Sequence, residues 1–487
     1  MASKSYKLGQ PIDMAASPAA LYSWLAAFCL PLILLGGSSQ IAMVQTSVLW
    51  PLAALFLGPV FYFGSGGALG PGRSLLLLLT GLALLMLLQS VPLPPGMWQI
   101  LPGRADLAEL ENAVGLQEVW RPISWVPSRT LNALFGLIVP ATALLLALSL
   151  KVSPNRLLNV IIFVALADFG LTIVQVLSGY QSEFYLYSVS SGRADGIFGN
   201  ENHSGVFSSL AMLVCGYRCS QLIDTSKDRG WAIFFAAGFF LFLVSAIIGG
   251  SRAALASSLL AMIIVGILFA KRLNREKTAS SRRSGRPKNK GASDSQFEAK
   301  VTTGVGLVSV LATVGLFIWL DRSPSFDGIL SQDSFEDLRW ELAPILWEMI
   351  RENWLLGIGF GAFSEFYQIY EPTSLLMPAF VNQAHNDWAQ FFIEGGVGGL
   401  ALLLSLLIWT GRKILFLWRY GEGKRDAVFF WFGVFAIIGL ASIVDYPLRT
   451  AIYQVTLVWL LLCLALETNE LDRASPRTDI RHAAALP

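Results

Sequence analysis

The sequence predicts an all-α polytopic membrane protein of about twelve transmembrane helices, with both termini inside and a large, partly helical loop outside. Three observations lead there. Of 487 residues, 54% are hydrophobic and only 14% charged, against roughly 25% charged in soluble domains, and the mean hydropathy is +0.58. The apolar residues gather in runs of about 20, the length that crosses a bilayer as a helix. The basic residues collect on alternate connections, as the positive-inside rule requires.

The runs lie at 21–37, 42–63, 74–92, 129–150, 156–178, 204–223, 231–249, 252–270, 301–320, 388–410, 427–444 and 448–466. The opening MASKSYKLGQPIDMAASPAA lacks the charged, apolar and cleavage-site order of a secretory signal, so the first span is expected to be retained. Cys29, Cys215, Cys219 and Cys463 lie in or beside the spans without zinc spacing, and there are three His in all. They read as small buried hydrophobes, and no metal or cofactor is expected.

With the N-terminus inside, nine of the 35 Lys and Arg fall outside: Arg104, Arg121, Arg129, Arg193, Arg252, Arg322, Arg339, Arg351 and Arg449. All nine are arginine, and every lysine is inside. Arginine's planar fork matches phosphate and carboxylate oxygens; as a set, these residues suggest anion handling on the outer face. The inner segment 271–300 is basic and rich in Ser, Gly and Pro, which suits a flexible loop held near anionic headgroups.

Three regions result. Residues 1–320 carry the first nine spans, 321–387 form an outer helical lid, and 388–487 hold the last three spans and an inner tail. Outside, segment 93–128 is rich in Pro and Trp, and Trp98, Trp120 and Trp125 suit the headgroup layer. In the lid, SFEDLRWELAPILWEMIREN reads as a helix, with Ser334 and Asp337 as a capping box. Phe335, Leu338, Leu342, Ile345 and Met349 share one face. Trp340, Trp347 and Trp354 recur every seven residues opposite them, toward lipid headgroups or sugar rings.

Four polar clusters sit at outer helix ends. They are SGRADGIFGNENHSGVF (191–207), GGSRAAL (249–255), VNQAHNDWAQFFIEGG (381–396) and SIVDYPLRT (442–450). Ionisable residues at membrane depth usually mark function. Asn200 and Asn202 can also cap a helix, Arg252 can snorkel, and Asp445 and Arg449 can pair with each other or a neighbour to hold their turn. His385 is the candidate for chemistry, because a near-neutral imidazole can take a proton from an attacking hydroxyl. Arginines can neutralise a phosphate leaving group. Without a Walker motif, the combination points to group transfer from a lipid-linked phosphate donor at the outer face.

At these residues the chain resembles the O-antigen ligase and polymerase family of polytopic glycosyltransferases. GIFGNENHSG, SRAALAS, NWLLGIGFGAF and HNDWAQFFIEGG look like its elements, in order and on one side, with Trp354 where Pro is usual and Ala389 where Leu is commoner. The resemblance implies metal-independent, inverting transfer of a glycan from undecaprenyl pyrophosphate to a sugar hydroxyl at the periplasmic face of a bacterial inner membrane. Carried onto this sequence, His385 would orient or deprotonate the acceptor. Arg193 and Arg252 would hold the pyrophosphate. Asn200, Asn202, His203, Arg339, Asn386 and Asp387 are weaker candidates for positioning. The implied partners are the lipid-linked donor, a glycan or lipid A-core acceptor, membrane lipids and polysaccharide export or chain-length proteins, with no nucleic acid. Segment PLPP at 92–95 and VDYPLRT look more like polymerases than ligases. A lipid-linked oligosaccharide flippase, another transporter or a scaffold subunit would be the rival readings; for a transporter, Asp168 and Gln175 are the few mid-span polar candidates.

Overall fold

The computed structural model describes residues 18–39, 44–64, 69–187, 193–223, 228–282, 334–376, 381–421 and 425–474. Among them the chain is helical almost throughout. In order, the main helices are α1 (Pro18–Leu35), α2 (Val44–Phe63), α3 (Gly70–Ser90), α4 (Ala105–Ala113), α5 (Pro127–Ser149), α6 (Pro154–Leu177) and α7 (Glu201–Leu222). There follow α8 (Arg229–Ile248), α9 (Arg252–Arg282), α10 (Ser334–Asn353), α11 (Phe363–Tyr367), α12 (Asp387–Tyr420), α13 (Arg425–Val444) and α14 (Ala451–Ala474).

Nine of these helices are long and apolar enough to cross a membrane: α2, α3, α5, α6, α8, α9, α12, α13 and α14. Each matches an expected run. The expected first run appears as a shorter apolar helix, Ala20–Leu35, and the expected run at 301–320 lies outside the described residues. Helix α9 continues to Arg282, so the start of the basic 271–300 segment is helical rather than loop. Residues 283–300 and 321–333 lie outside the described residues.

Helix α7 is full length but less apolar than its neighbours, and its position explains why. Every residue from His203 to Ser220 is buried, because α6, α8, α9 and α13 all pack on it. Small residues permit that crowding. A Cβ on Gly205 would lie 2.5 Å from the Ala254 Cβ, and one on Gly216 would lie 2.3 Å from Val265 Cγ2. Ser208 donates to Ser245 Oγ at 2.9 Å, and Ser209 and Ser258 share a hydrogen bond of 2.8 Å. A helix that meets protein on every side does not need a lipid-like surface.

Between α3 and α5, β1 (Pro92–Leu93) pairs antiparallel with β2 (Arg121–Pro122), Pro92 opposite Pro122, and closes the 93–128 loop. Trp120 is exposed, but Trp98 is fully buried and donates to the Val119 carbonyl at 2.9 Å. Trp125 lies beneath the Arg104 guanidinium, 4.2 Å from ring centroid to Cζ, and against Phe366. Of the three Trp expected at the headgroup layer, Trp120 is thus exposed, Trp98 is enclosed within the loop, and Trp125 is half-buried against the core around α10 and α11.

Helix α10 buries its expected face at Leu342 and Met349, with Ile345 half-buried and Leu346 buried beside them; the side chains of Phe335 and Leu338 lie outside the described residues. Leu342, Leu346 and Met349 of α10 are buried with Phe363, Phe366 and Tyr367 around α11 and with Ala384 and Ile393. Trp340 and Trp347 on the other face are 81% and 67% exposed, and Trp354 just beyond the helix is also exposed. The stretch between α10 and α11 then reaches into a break in α12. At Gly396 the helix leaves α geometry (φ 55°, ψ −151°), and the loop takes up the freed groups: Ile358 N–H donates to Ile393 O at 3.0 Å, Gly359 N–H to Glu394 O at 3.1 Å, and Val397 N–H to Leu355 O at 3.1 Å. Gln89 of α3 seals the joint, donating to Glu394 O (2.8 Å) and Leu356 O (3.0 Å). Backbone groups at membrane depth must be paired inside the protein. This is how the lid is fastened to the bundle.

Candidate active site

The break in α12 and the turn between α13 and α14 bring four elements to one place. Asp445, at the end of α13, is buried. Its Oδ2 accepts from Asn202 Nδ2 at 2.8 Å, and its Oδ1 accepts from the Tyr446 N–H at 2.9 Å. The same Oδ1 lies 3.7 Å from His203 Nε2 and 3.7 Å from His385 Nδ1. The Tyr446 ring stands edge-on to both imidazoles, with centroids 5.1 Å and 4.8 Å away. One carboxylate therefore faces two histidines from different ends of the chain. Such a carboxylate stabilises an imidazolium that forms beside it.

His385 sits at φ 50°, a left-handed conformation that costs a non-glycine residue on the order of 1–3 kcal/mol and persists only where its surroundings impose it. Gln390 supplies much of that constraint. Its Oε1 accepts from the Ala384 N–H at 2.9 Å, and its Nε2 donates to Gln383 Oε1 at 2.6 Å. Asn386 then caps α12, accepting from the Ala389 N–H at 2.9 Å. The loop leading into the helix is therefore held on both sides of His385.

Asp387 is committed to the joint between α13 and α14. It accepts from the Leu448 N–H (3.0 Å), Ser442 Oγ (3.2 Å) and Arg449 Nε (3.3 Å). Arg449 also donates to Glu394 Oε2 at 2.6 Å, while Gln390 donates to Glu394 Oε1 at 3.0 Å. Burial works to lower the Arg449 pKa, but the carboxylates of Glu394 and Asp387 outweigh it and hold the guanidinium above its ordinary value. Asp445 and Arg449 thus pair with separate neighbours and not with each other. The turn they share locks α12 to α13 and α14.

The other sequence candidates divide. Asn200 caps α7, accepting from the Asn202 N–H at 2.8 Å. Arg193 is about half exposed and paired with Glu201 of α7. Arg252 opens α9 after a turn through Gly250 (φ 66°), where Ser251 Oγ accepts from the Ala254 N–H at 3.2 Å. A Cβ on Gly249 would lie 3.9 Å from the Glu201 carbonyl and 4.0 Å from that of Ala194. The backbones that carry Arg193 and Arg252 therefore meet at the first turn of α7, within two residues of Asn202 and His203. Arg339 lies in α10, and its side chain is outside the described residues.

Asp168 and Gln175 have a role that sequence reasoning did not assign. Asp168 accepts from the Ile197 N–H and from Ser204 Oγ, both at 2.9 Å. Gln175 exchanges hydrogen bonds with Gly196, 2.9 Å from its N–H and 3.1 Å to its O. They anchor the segment after Arg193 onto α6. Residues 195–197 are thereby fixed next to Asn200 and His203.

Residues 237–404 match the O-antigen ligase family, Wzy_C. The similarity supports assignment to the O-antigen ligase and polymerase family. No curated protein sequence matches the chain. The matched stretch contains Arg252, the threaded loop, His385 and Glu394. It stops short of Asn202 and His203 on one side and of Asp445 and Arg449 on the other, so half of the cluster around His385 lies beyond the matched residues.

Proposed function

We propose that this protein is a periplasmic-face, inverting glycosyltransferase of a bacterial inner membrane, moving a glycan from undecaprenyl pyrophosphate to a sugar hydroxyl, with polymerase preferred over ligase. The single observation that carries the reading is His385 Nδ1 at 3.7 Å from the buried Asp445 carboxylate, within a chain similar to O-antigen ligases.

In the proposed step the His385 imidazole accepts the proton of the acceptor hydroxyl as its oxygen bonds to the anomeric carbon. The bond from that carbon to the pyrophosphate oxygen breaks on the opposite side, which inverts the centre. Asp445 stabilises the imidazolium, while Arg193 and Arg252 neutralise the departing pyrophosphate. General-base assistance of this kind is worth roughly 10²- to 10⁴-fold. The excess of Lys and Arg on the inner connections supports a twelve-span, N-in/C-in arrangement that turns this cluster outward. Asp168 and Gln175 are committed to the 195–197 backbone, which speaks against their serving a transport pathway.

The deciding experiment supplies purified protein with lipid-linked repeat units, with and without lipid A-core. Polymer formed without the core supports a polymerase, and transfer only to the core supports a ligase. No transfer in either mixture by a folded protein overturns the reading.

A further inference from the structure

Asp387, Glu394 and Arg449 also line a cavity of about 380 Å³. Its charged and amide residues stand at outer helix ends: Arg129 near the start of α5, Gln383 and Asp387 at the start of α12, and Arg449 just before α14. Its apolar walls run inward along the bundle through leucines such as Leu75 and Leu79 of α3, Leu406 of α12 and Leu461 of α14. Leu461 lies ten residues along α14 from Ala451, or about 15 Å at 1.5 Å per residue. The space is amphiphilic, polar at its outer end and hydrocarbon-like below.

Both guanidinium groups at the polar end are already paired. Arg129 Nε and Nη2 each lie 2.5 Å from Glu365 Oε1, and Arg449 is shared between Glu394 and Asp387. Three carboxylates stand against two guanidinium groups, so an anionic head would meet surplus negative charge in a low dielectric. Two buried atoms there have no hydrogen-bond partner: Arg449 Nη2, a donor, and Glu365 Oε2, an acceptor. A hydroxyl group can answer both, because it donates and accepts.

We infer that this cavity binds an uncharged, hydroxyl-bearing amphiphile, a lipid chain with a sugar or glycerol head. The chain lies along the leucine walls, and head hydroxyls bridge Glu365 and Arg449. Binding here is independent of the glycosyl transfer proposed above, and it is read without turnover.

Trp50 and Trp388 line the same cavity and report its occupancy. Full-length protein in nanodiscs is titrated with four brominated-chain probes, an alkyl glucoside, a monoacylglycerol, an alkyl phosphate and an alkyl trimethylammonium, while indole quenching is followed. The uncharged probes are expected to quench at concentrations at least about ten-fold below the phosphate probe. That component should vanish in the Trp50→Phe/Trp388→Phe protein and weaken in Ala133→Phe, which narrows the cavity. The tighter of the glucoside and the glycerol probe identifies the head. Glu365→Gln, which removes one carboxylate without changing shape, should narrow the disadvantage of the phosphate probe. Equal or tighter binding of the phosphate probe, or a saturable quenching component that is unchanged without Trp50 and Trp388, overturns the inference.

Discussion

His385 Nδ1 lies 3.7 Å from Asp445 Oδ1, across the joint between the start of α12 and the end of α13. The pair is the part of the cluster that a base mechanism needs most. His385→Ala should abolish glycan transfer while leaving insertion intact. Asp445→Asn keeps the shape but not the charge, and should lower kcat by roughly 10²- to 10⁴-fold. Turnover with lipid-linked substrate, alongside a melting curve in detergent, checks both; wild-type kcat in either variant removes the mechanism.

Arg252→Lys should lose most activity, since an ammonium cannot make the bidentate phosphate contact of a guanidinium. Arg193→Lys should lose less, because Arg193 already shares its charge with Glu201 at a half-exposed position. Steady-state kinetics of the two variants side by side measure the difference. A silent Arg252→Lys would mark that residue as a headgroup contact.

Arg449→Met would strand Glu394 and Asp387 without their counter-charge. Breaking a buried pair from one side costs about 3–5 kcal/mol, so thermal melting should show a severe loss. Glu394→Gln leaves Arg449 with Asp387 and an amide oxygen, and should cost less than about 3 kcal/mol. The reverse order of severity would contradict the geometry.

Gly396 admits no side chain. A Cβ there would lie 2.6 Å from Gly357 N and Leu355 O, both backbone atoms, at a φ of 55°. Gly396→Ala should destabilise by more than about 1 kcal/mol and loosen the lid, seen as faster protease cleavage between α10 and α11. Unchanged cleavage would mean the joint tolerates what its spacing forbids.

The two faces of α10 should respond oppositely. Leu342→Ala removes a fully buried side chain and should cost about 2–5 kcal/mol. Trp347→Ala removes one that is 67% exposed and should leave melting within about 0.5 kcal/mol. If Trp347→Ala nonetheless changes the protein's affinity for anionic vesicles or for soluble glycan, that change assigns the stripe's contact.

Much of this was legible in the sequence because membrane physics writes in long words. Eleven of the twelve apolar runs fall on helices, nine of them long and apolar enough to cross a membrane, and the alternation of Leu342 and Met349 with Trp340 and Trp347 marked the lid helix. The four polar clusters were visible too. Their pairing was not. Asp445 read as a turn residue because its partners, Asn202, His203 and His385, come from α7 and from the entry to α12. Asp387 looked like the natural neighbour of His385, yet the helical cap at Asn386 rotates it toward Arg449. The glycines of NWLLGIGFG matched a family element without revealing why they are glycine. Gly357 packs against the break at Gly396, whereas Gly359 packs against Ser124 and Thr130 and Gly361 against Arg129 and Ala133 at the start of α5. Trp98 was misplaced because aromatic content alone does not separate a headgroup anchor from the core of a small loop.

The Arg449 ion pairs also set a direction for biogenesis. Glu394 and Asp387 leave the ribosome more than fifty residues ahead of the guanidinium that neutralises them. Until the final hairpin is inserted, α12 carries two carboxylates with no fixed counter-ion, a state that favours aqueous surroundings over lipid. The last span is therefore a latch on the tenth expected one. A chain truncated before residue 449 should be recognised by membrane quality control at α12, well upstream of the missing residues.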